Sequence, residues 1–220
     1  AKVSGDGLTF EKKSTMPYSD FTLSKLRQKF QIGHQLTTLF PLPVAPIEPS
    51  ERLRFDIQEG LSFPNTTEKA KSEWLVGPIL KELHRNKPHF SIFSGYSFDI
   101  EKEEQLNGVC DFILSAKTQI VELEAPVFCL IEAKRDSIED GWGQCAAAML
   151  AARKFNLRDN KPIHTIYGAV TNAFDWVFMK LEGDTVYIDS ERYFLKELSQ
   201  LLGRLDYVLE QSLEEALAVV

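Results

Sequence analysis

A chain of 220 residues, 44% hydrophobic and 26% charged, has enough apolar mass for one substantial core, and this composition excludes a disordered or collagen-like chain. Its formal net charge of -7 excludes a uniformly basic, phosphate-coating surface, so contact with nucleic acid would need a local basic patch or bound cations. There is no run of about 18 apolar residues and no secretion-signal pattern over residues 1–18, so a soluble cytoplasmic protein without membrane contact is expected.

Residues 1–20 mix Gly, Ser, Lys and Asp without a period and read as an irregular or edge segment. Over 22–30, Leu23, Leu26 and Phe30 among Lys and Arg predict a short amphipathic helix capped by Thr22 or Ser24. Pro41, Pro43, Pro46 and Pro49 exclude a helix or central strand and predict an extended connector over 41–50. A longer helix is expected over 67–85, where Asn65 and Glu68 resemble a capping box and Pro78 should introduce a bend.

Runs of Ile, Val and Phe over 91–100, 108–115, 119–123 and 127–134 predict consecutive strands. An Ala-rich helix is expected over 143–155, followed by strands at 164–171, 176–181 and 185–188, the last two joined by a tight turn at Glu182-Gly183-Asp184. A helix over 193–210 closes the chain. This order predicts an α/β fold with a central mixed sheet flanked by helices. Residues 1–64 read as an N-terminal elaboration of short helix and Pro-rich connector, and 65–220 as the core with C-terminal strands and helix.

Alternation along 127–134 sends Phe128, Leu130, Glu132 and Lys134 to one face, which leaves a carboxylate and an ammonium roughly 7 Å apart at the end of an apolar strand. Charges there are costly unless something pairs them. Asp111 lies in a similar apolar run, and if the two strands are neighbours, Asp111 and Glu132 can share one hard cation, Mg²⁺ or Mn²⁺. Lys134 can then orient a nucleophile and neutralise charge developing at phosphorus, which is phosphodiester hydrolysis. Ala70, Glu73, Gly77 and Leu80 fall on one helical line, so Glu73 is expected as a further metal ligand, and Gln144 at the start of the next helix as a partner for water or phosphate. Between 133 and 162 six basic side chains, including Arg153, Lys154, Arg158 and Lys161, face four acidic ones, a weak basic patch.

In order and pattern, residues 65–180 resemble the PD-(D/E)xK nuclease superfamily of restriction-endonuclease-like proteins. The helix acid is matched by Glu73, the strand acid by Asp111, the E-x-K by Glu132-Ala133-Lys134 and the following-helix glutamine by Gln144. Cys110 stands where the motif's name has proline. The stretch 166–181, with Gly168, Thr171-Asn172 and Trp176, also resembles strands of bacterial nuclease-like proteins. The resemblance implies a restriction-endonuclease-like core, Mg²⁺-dependent DNA hydrolysis with Asp111, Glu132, Lys134 and Gln144 catalytic, and a possible homodimer.

Other readings stay open. An E-x-K alone is cheap, since Glu11-Lys12-Lys13 is another without supporting context. Glu132, Lys134 and Asp111 can form a structural ion cluster, Glu73 can be an ordinary solvated acid, and Gln144 can simply bond the backbone. A catalytically silent interaction or nucleic-acid-binding module and chemistry on a small phosphorylated substrate are the functional alternatives. Cys110, Cys129 and Cys145, with no C-x-x-C pair, read as buried reduced thiols, and no His/Cys spacing suits zinc.

Overall fold

The capping hydroxyl of Thr22, which accepts the backbone N–H of Lys25, starts α1 (Leu23–Phe30), and a left-handed Gln31 ends it. In the computed structural model, which describes residues 17–40, 43–100 and 106–220, this helix follows a 3-10 turn at Tyr18–Asp20. Residues 1–16, which hold most of the segment expected to be irregular, and Pro41 of the expected connector lie outside the described residues. Residues 43–50 form neither helix nor strand, as the prolines require.

Two elements of residues 1–64 were not expected. β1 (Gly33–Thr37) carries no alternation of apolar residues, because it lies at the sheet edge and is held by its parallel pairing with a later strand. α2 (Glu51–Ser62) follows the connector. The Ser50 hydroxyl caps it by accepting from Leu53 N–H, and Leu53, Ile57 and Gly60 form its buried stripe.

The expected helix over 67–85 is a rod of three parts: α3 (Glu68–Lys71), a π-helical turn (Ser72–Val76) and α4 (Gly77–Asn86). Its cap is Thr67, which accepts from Ala70 N–H, whereas the Asn65 amide donates to the carbonyls of Gly60 and Phe63. Pro78 has no N–H to give, and the wider turn, closed by Gly77 N–H on the Ser72 carbonyl, accommodates it.

Next come β2 (Ser91–Ser97), β3 (Val109–Ser115) and β4 (Val127–Ala133). The strand expected over 119–123 is instead a run of bends. Gln119 takes a left-handed φ of 58° and Val121 is 96% exposed, so neither backbone nor burial favours extended pairing there. α5 (Glu139–Arg158) is longer than expected at both ends and buries an unbroken run, Cys145 to Ala152. β5 (Thr165–Thr171), β6 (Asp175–Glu182) and β7 (Thr185–Asp189) follow, with the β6–β7 turn at Gly183, whose φ of 54° suits a residue without Cβ. Residues expected to open the last helix form a short strand, β8 (Tyr193–Phe194), because they pair with Trp176 and Asp175 of β6. A 3-10 turn then leads into α6 (Leu198–Leu217).

The fold is α/β, with the central mixed sheet in the order β1-β7-β6-β5-β4-β3-β2 and β8 added to β6. The pairs β1/β7 and β4/β5 are parallel, and the other pairs are antiparallel. α5 covers one face: a Cβ at Gly168 of β5 would meet the sulfurs of its Cys145 and Met149. α6 covers the other face and packs on α4, which in turn packs on α2. Tyr18, Phe21, Leu26, Leu53 and Ile57 belong to the same buried core as β4 and α5, so the described part of residues 1–64 is woven into the core. Cys110, Cys129 and Cys145 are free and buried. Among the described residues no helix is long and apolar enough to cross a membrane.

Candidate metal centre

β4 is buried along its whole length, and its carboxyl end places the key side chains. Leu130 and Glu132 register with Gly168 and Val170 of β5, so they share the face covered by α5. On the other side, β3 pairs Phe112 with Ile131, which places Asp111 opposite Glu132 when the ladder is carried one step further. Asp111 is fixed there because its Oδ2 accepts the Ala133 N–H at 2.8 Å.

Lys134 continues the β4–β5 ladder, its N–H bonding the Thr171 carbonyl at 2.7 Å. Its Nζ donates to Glu132 Oε1 and to Gln144 Oε1, both at 2.8 Å. The stem of Lys134 passes under the first turn of α5 where Gly141 stands. A Cβ at Gly141 would come within 3.1 Å of two Lys134 carbons and 2.5 Å of Val170 Cγ1, so a side chain there would displace the lysine. Asp111, Glu132, Lys134 and Gln144, expected from the sequence, are thus brought together.

Glu73 is not. Its exposed carboxylate pairs with Lys69 one turn back, outside the cluster. The acid that joins Asp111 and Glu132 is Glu68, and one carboxylate oxygen from each of the three lies within 4.8 Å of the other two. The Arg135 backbone holds α3 against the end of β4: the buried Lys71 Nζ donates to the Arg135 carbonyl, and the Arg135 N–H helps to lower the Glu68 carboxyl against the larger effect of its burial. The helical line through Glu73 assumed a continuous α-helix, and the π turn changes its phase after Lys71. The available signal was the cap at Thr67, which makes Glu68 the first residue of the helix and the one closest to the strand ends.

The electrostatics of the cluster are those of acids in excess. Burial, followed by repulsion from Asp111, pushes Glu132 up to about 8 against the pull of Lys134. Burial also raises Asp111, although the Ala133 N–H opposes it, and it raises Glu68 with help from the Asp111 charge. For Lys134 burial acts downward, but Glu132, Glu68 and Asp111 outweigh it and hold the ammonium above its usual value. Three carboxyls therefore compete for one ammonium, and the Glu132 side chain, 4% exposed, holds a proton at neutral pH. Carboxylate oxygens at this spacing suit a hard cation, which would supply the missing charge. The acidic triad of half-buried Glu68 and Asp111 with buried Glu132 can hold a metal ion.

The basic patch lies elsewhere. Arg153 bonds the Gly183 carbonyl and faces Asp184, Arg158 pairs with Asp159, and Lys161 reaches the Val220 carbonyl. Arg153 is nine residues beyond Gln144 along α5, a rise of roughly 13 Å. Comparison of the chain with protein-family models and with curated proteins finds no match.

Proposed function

We propose that this chain is a divalent-metal-dependent nuclease of the PD-(D/E)xK type, with a restriction-endonuclease-like core, that hydrolyses DNA phosphodiesters. The observation carrying this reading is the convergence of Glu68, Asp111 and Glu132 with Lys134 at the end of two adjacent strands. A structural ion cluster would be expected to balance its charges, whereas this one, with Glu132 protonated, still leaves two carboxylates for one ammonium.

Glu68, Asp111 and Glu132 would hold Mg²⁺ or Mn²⁺. When bound, the ion polarises a phosphoryl oxygen and acidifies water. Lys134, anchored by Glu132 and Gln144, has a fixed ammonium and a spare donor that can orient the attacking water and neutralise charge at phosphorus. Gln144 holds that ammonium on the side facing α5. Ala133 N–H orients Asp111 so that one of its oxygens stays available. Both β1 and β2 are sheet edges, and a homodimer suited to cutting both strands belongs to this proposal.

The test is cleavage of plasmid and oligonucleotide DNA with increasing Mg²⁺ or Mn²⁺, comparing the wild type with Asp111→Asn, Glu132→Gln and Lys134→Met. The expected result is metal-dependent cleavage lost in all three variants. Equal cleavage by all four proteins, or none by the wild type with either metal, contradicts the reading.

A further inference from the structure

The π turn that accommodates Pro78 also shapes a groove. Between the helical rod and the free edge strand β2 lies an open cavity of about 970 Å³, lined in part by Ser72, Trp74, Lys81, His84, Phe93 and Phe112. It begins one turn beyond Glu68 along the rod, a rise of roughly 6 Å, and reaches Phe112, the neighbour of Asp111 in β3. Because successive strand residues point to opposite faces, the groove lies across the sheet from the carboxyls.

Three properties of the lining define what fits. Trp74 is 42% exposed, and Phe63 braces it edge-on with ring centres 5.3 Å apart, which leaves an indole surface open at the groove. The lining carries one unpaired cation in a protein of net charge -7: Lys81 has no ion pair among the described residues, whereas the lining Arg85 is paired with Glu82 and the lining acid Glu73 with Lys69. The Ser72 hydroxyl is buried at the groove wall without a hydrogen-bond partner among the described residues. An open aromatic face, a free cation and an orphaned hydroxyl are complementary to a base, a phosphate and a polar base edge.

We propose that this groove binds an unstacked nucleotide of a single-stranded DNA segment, on the sheet face opposite the carboxyl cluster. The proposal rests on the nuclease reading for its context and makes the preferred substrate a single-stranded, frayed or flap-bearing DNA. A base stacks on Trp74, and Lys81 neutralises a flanking phosphate. Fully paired DNA, whose bases are already stacked, offers Lys81 a phosphate but Trp74 no free base face.

The test uses the full chain in a chelator, so that binding is read without cleavage: fluorescence anisotropy with labelled oligodeoxythymidylate and with a blunt duplex of equal length. Single strands are expected to bind more tightly than the duplex, and Trp74→Ala to weaken single-strand binding about tenfold. Lys81→Glu, on an exposed helix face, should weaken it further at low salt and reduce the salt dependence by about one phosphate contact. Unchanged affinity in both variants, tighter binding of the duplex, or binding of neither probe, as for a groove built for a peptide strand on β2, overturns the proposal. Binding without metal-dependent cleavage would instead leave the groove standing and defeat the nuclease reading. Cleavage indifferent to both substitutions would do the reverse.

Discussion

Glutamine in place of Glu132 isolates the energetic consequence of the buried cluster. In the metal-free protein the folded state keeps a proton on Glu132 up to about pH 8, while the unfolded chain releases it near the ordinary 4.5. A raised folded-state value favours folding fully at low pH, and that contribution is lost as pH rises through the folded value. At ~1.4 kcal/mol per tenfold change in proton binding, this carboxyl favours the folded state by about 3 kcal/mol near pH 6 and by almost nothing near pH 9. Urea denaturation with chelator at both pH values, wild type beside Glu132→Gln, measures the difference. The wild type should lose roughly 3 kcal/mol more than the variant between about pH 6 and about pH 9, and added Mg²⁺ should restore stability at the higher pH. Parallel pH profiles for the two proteins would refute the claim that Glu132 is a buried, proton-holding acid.

Glu68→Gln should weaken Mn²⁺ binding about tenfold or more while Glu73→Gln leaves it unchanged, as read by calorimetry, because only Glu68 reaches Asp111 and Glu132. Lys134→Met should slow single-turnover cleavage about 100-fold or more but alter Mn²⁺ affinity far less, because its ammonium contacts a ligand and is not one. Asn156→Ala removes the side-chain amide that bonds both N–H and C=O of Val127 at 2.7 Å. Leaving those buried groups unpaired should lower stability by about 2–4 kcal/mol in denaturant titration without changing metal affinity.

The core strands were legible because burial imposes a pattern. β4 and β3 carry continuous apolar runs interrupted by one acid each, and an acid in such a run signals either pairing or chemistry. The same logic identified Lys134, whose spacing from Glu132 fixes a common face, and Gln144, one α5 turn from the glycine that makes room for the lysine. Where a pattern depended on partners distant in sequence, it could not be read. β1 is a strand only because β7 lies beside it, and residues 193–194 leave the helical pattern only because β6 takes them up. The apolar residues of 119–123 had strand composition, but Gln119 turns the backbone and no strand among the described residues pairs with them.

The choice between Glu68 and Glu73 shows where reading by helical period stops. A line of residues at α-helical spacing is reliable only while the helix is α, and the π turn that accommodates Pro78 begins at Ser72, so Glu73 already lies within it. The capping hydroxyl of Thr67 and the contact of Lys71 with the Arg135 carbonyl decide which acid meets the strands. The second joins residues more than sixty positions apart in the chain, from Lys71 to Arg135, and no local pattern encodes it.

Titration calorimetry of the metal-free protein with Mn²⁺, near neutral pH, tests the central claim most directly. A single site per chain is predicted, with release of protons as Glu132 ionises and with binding abolished in Asp111→Asn and strongly weakened in Glu68→Gln. No saturable binding by the wild type, or binding that survives both substitutions unchanged, would contradict the metal centre.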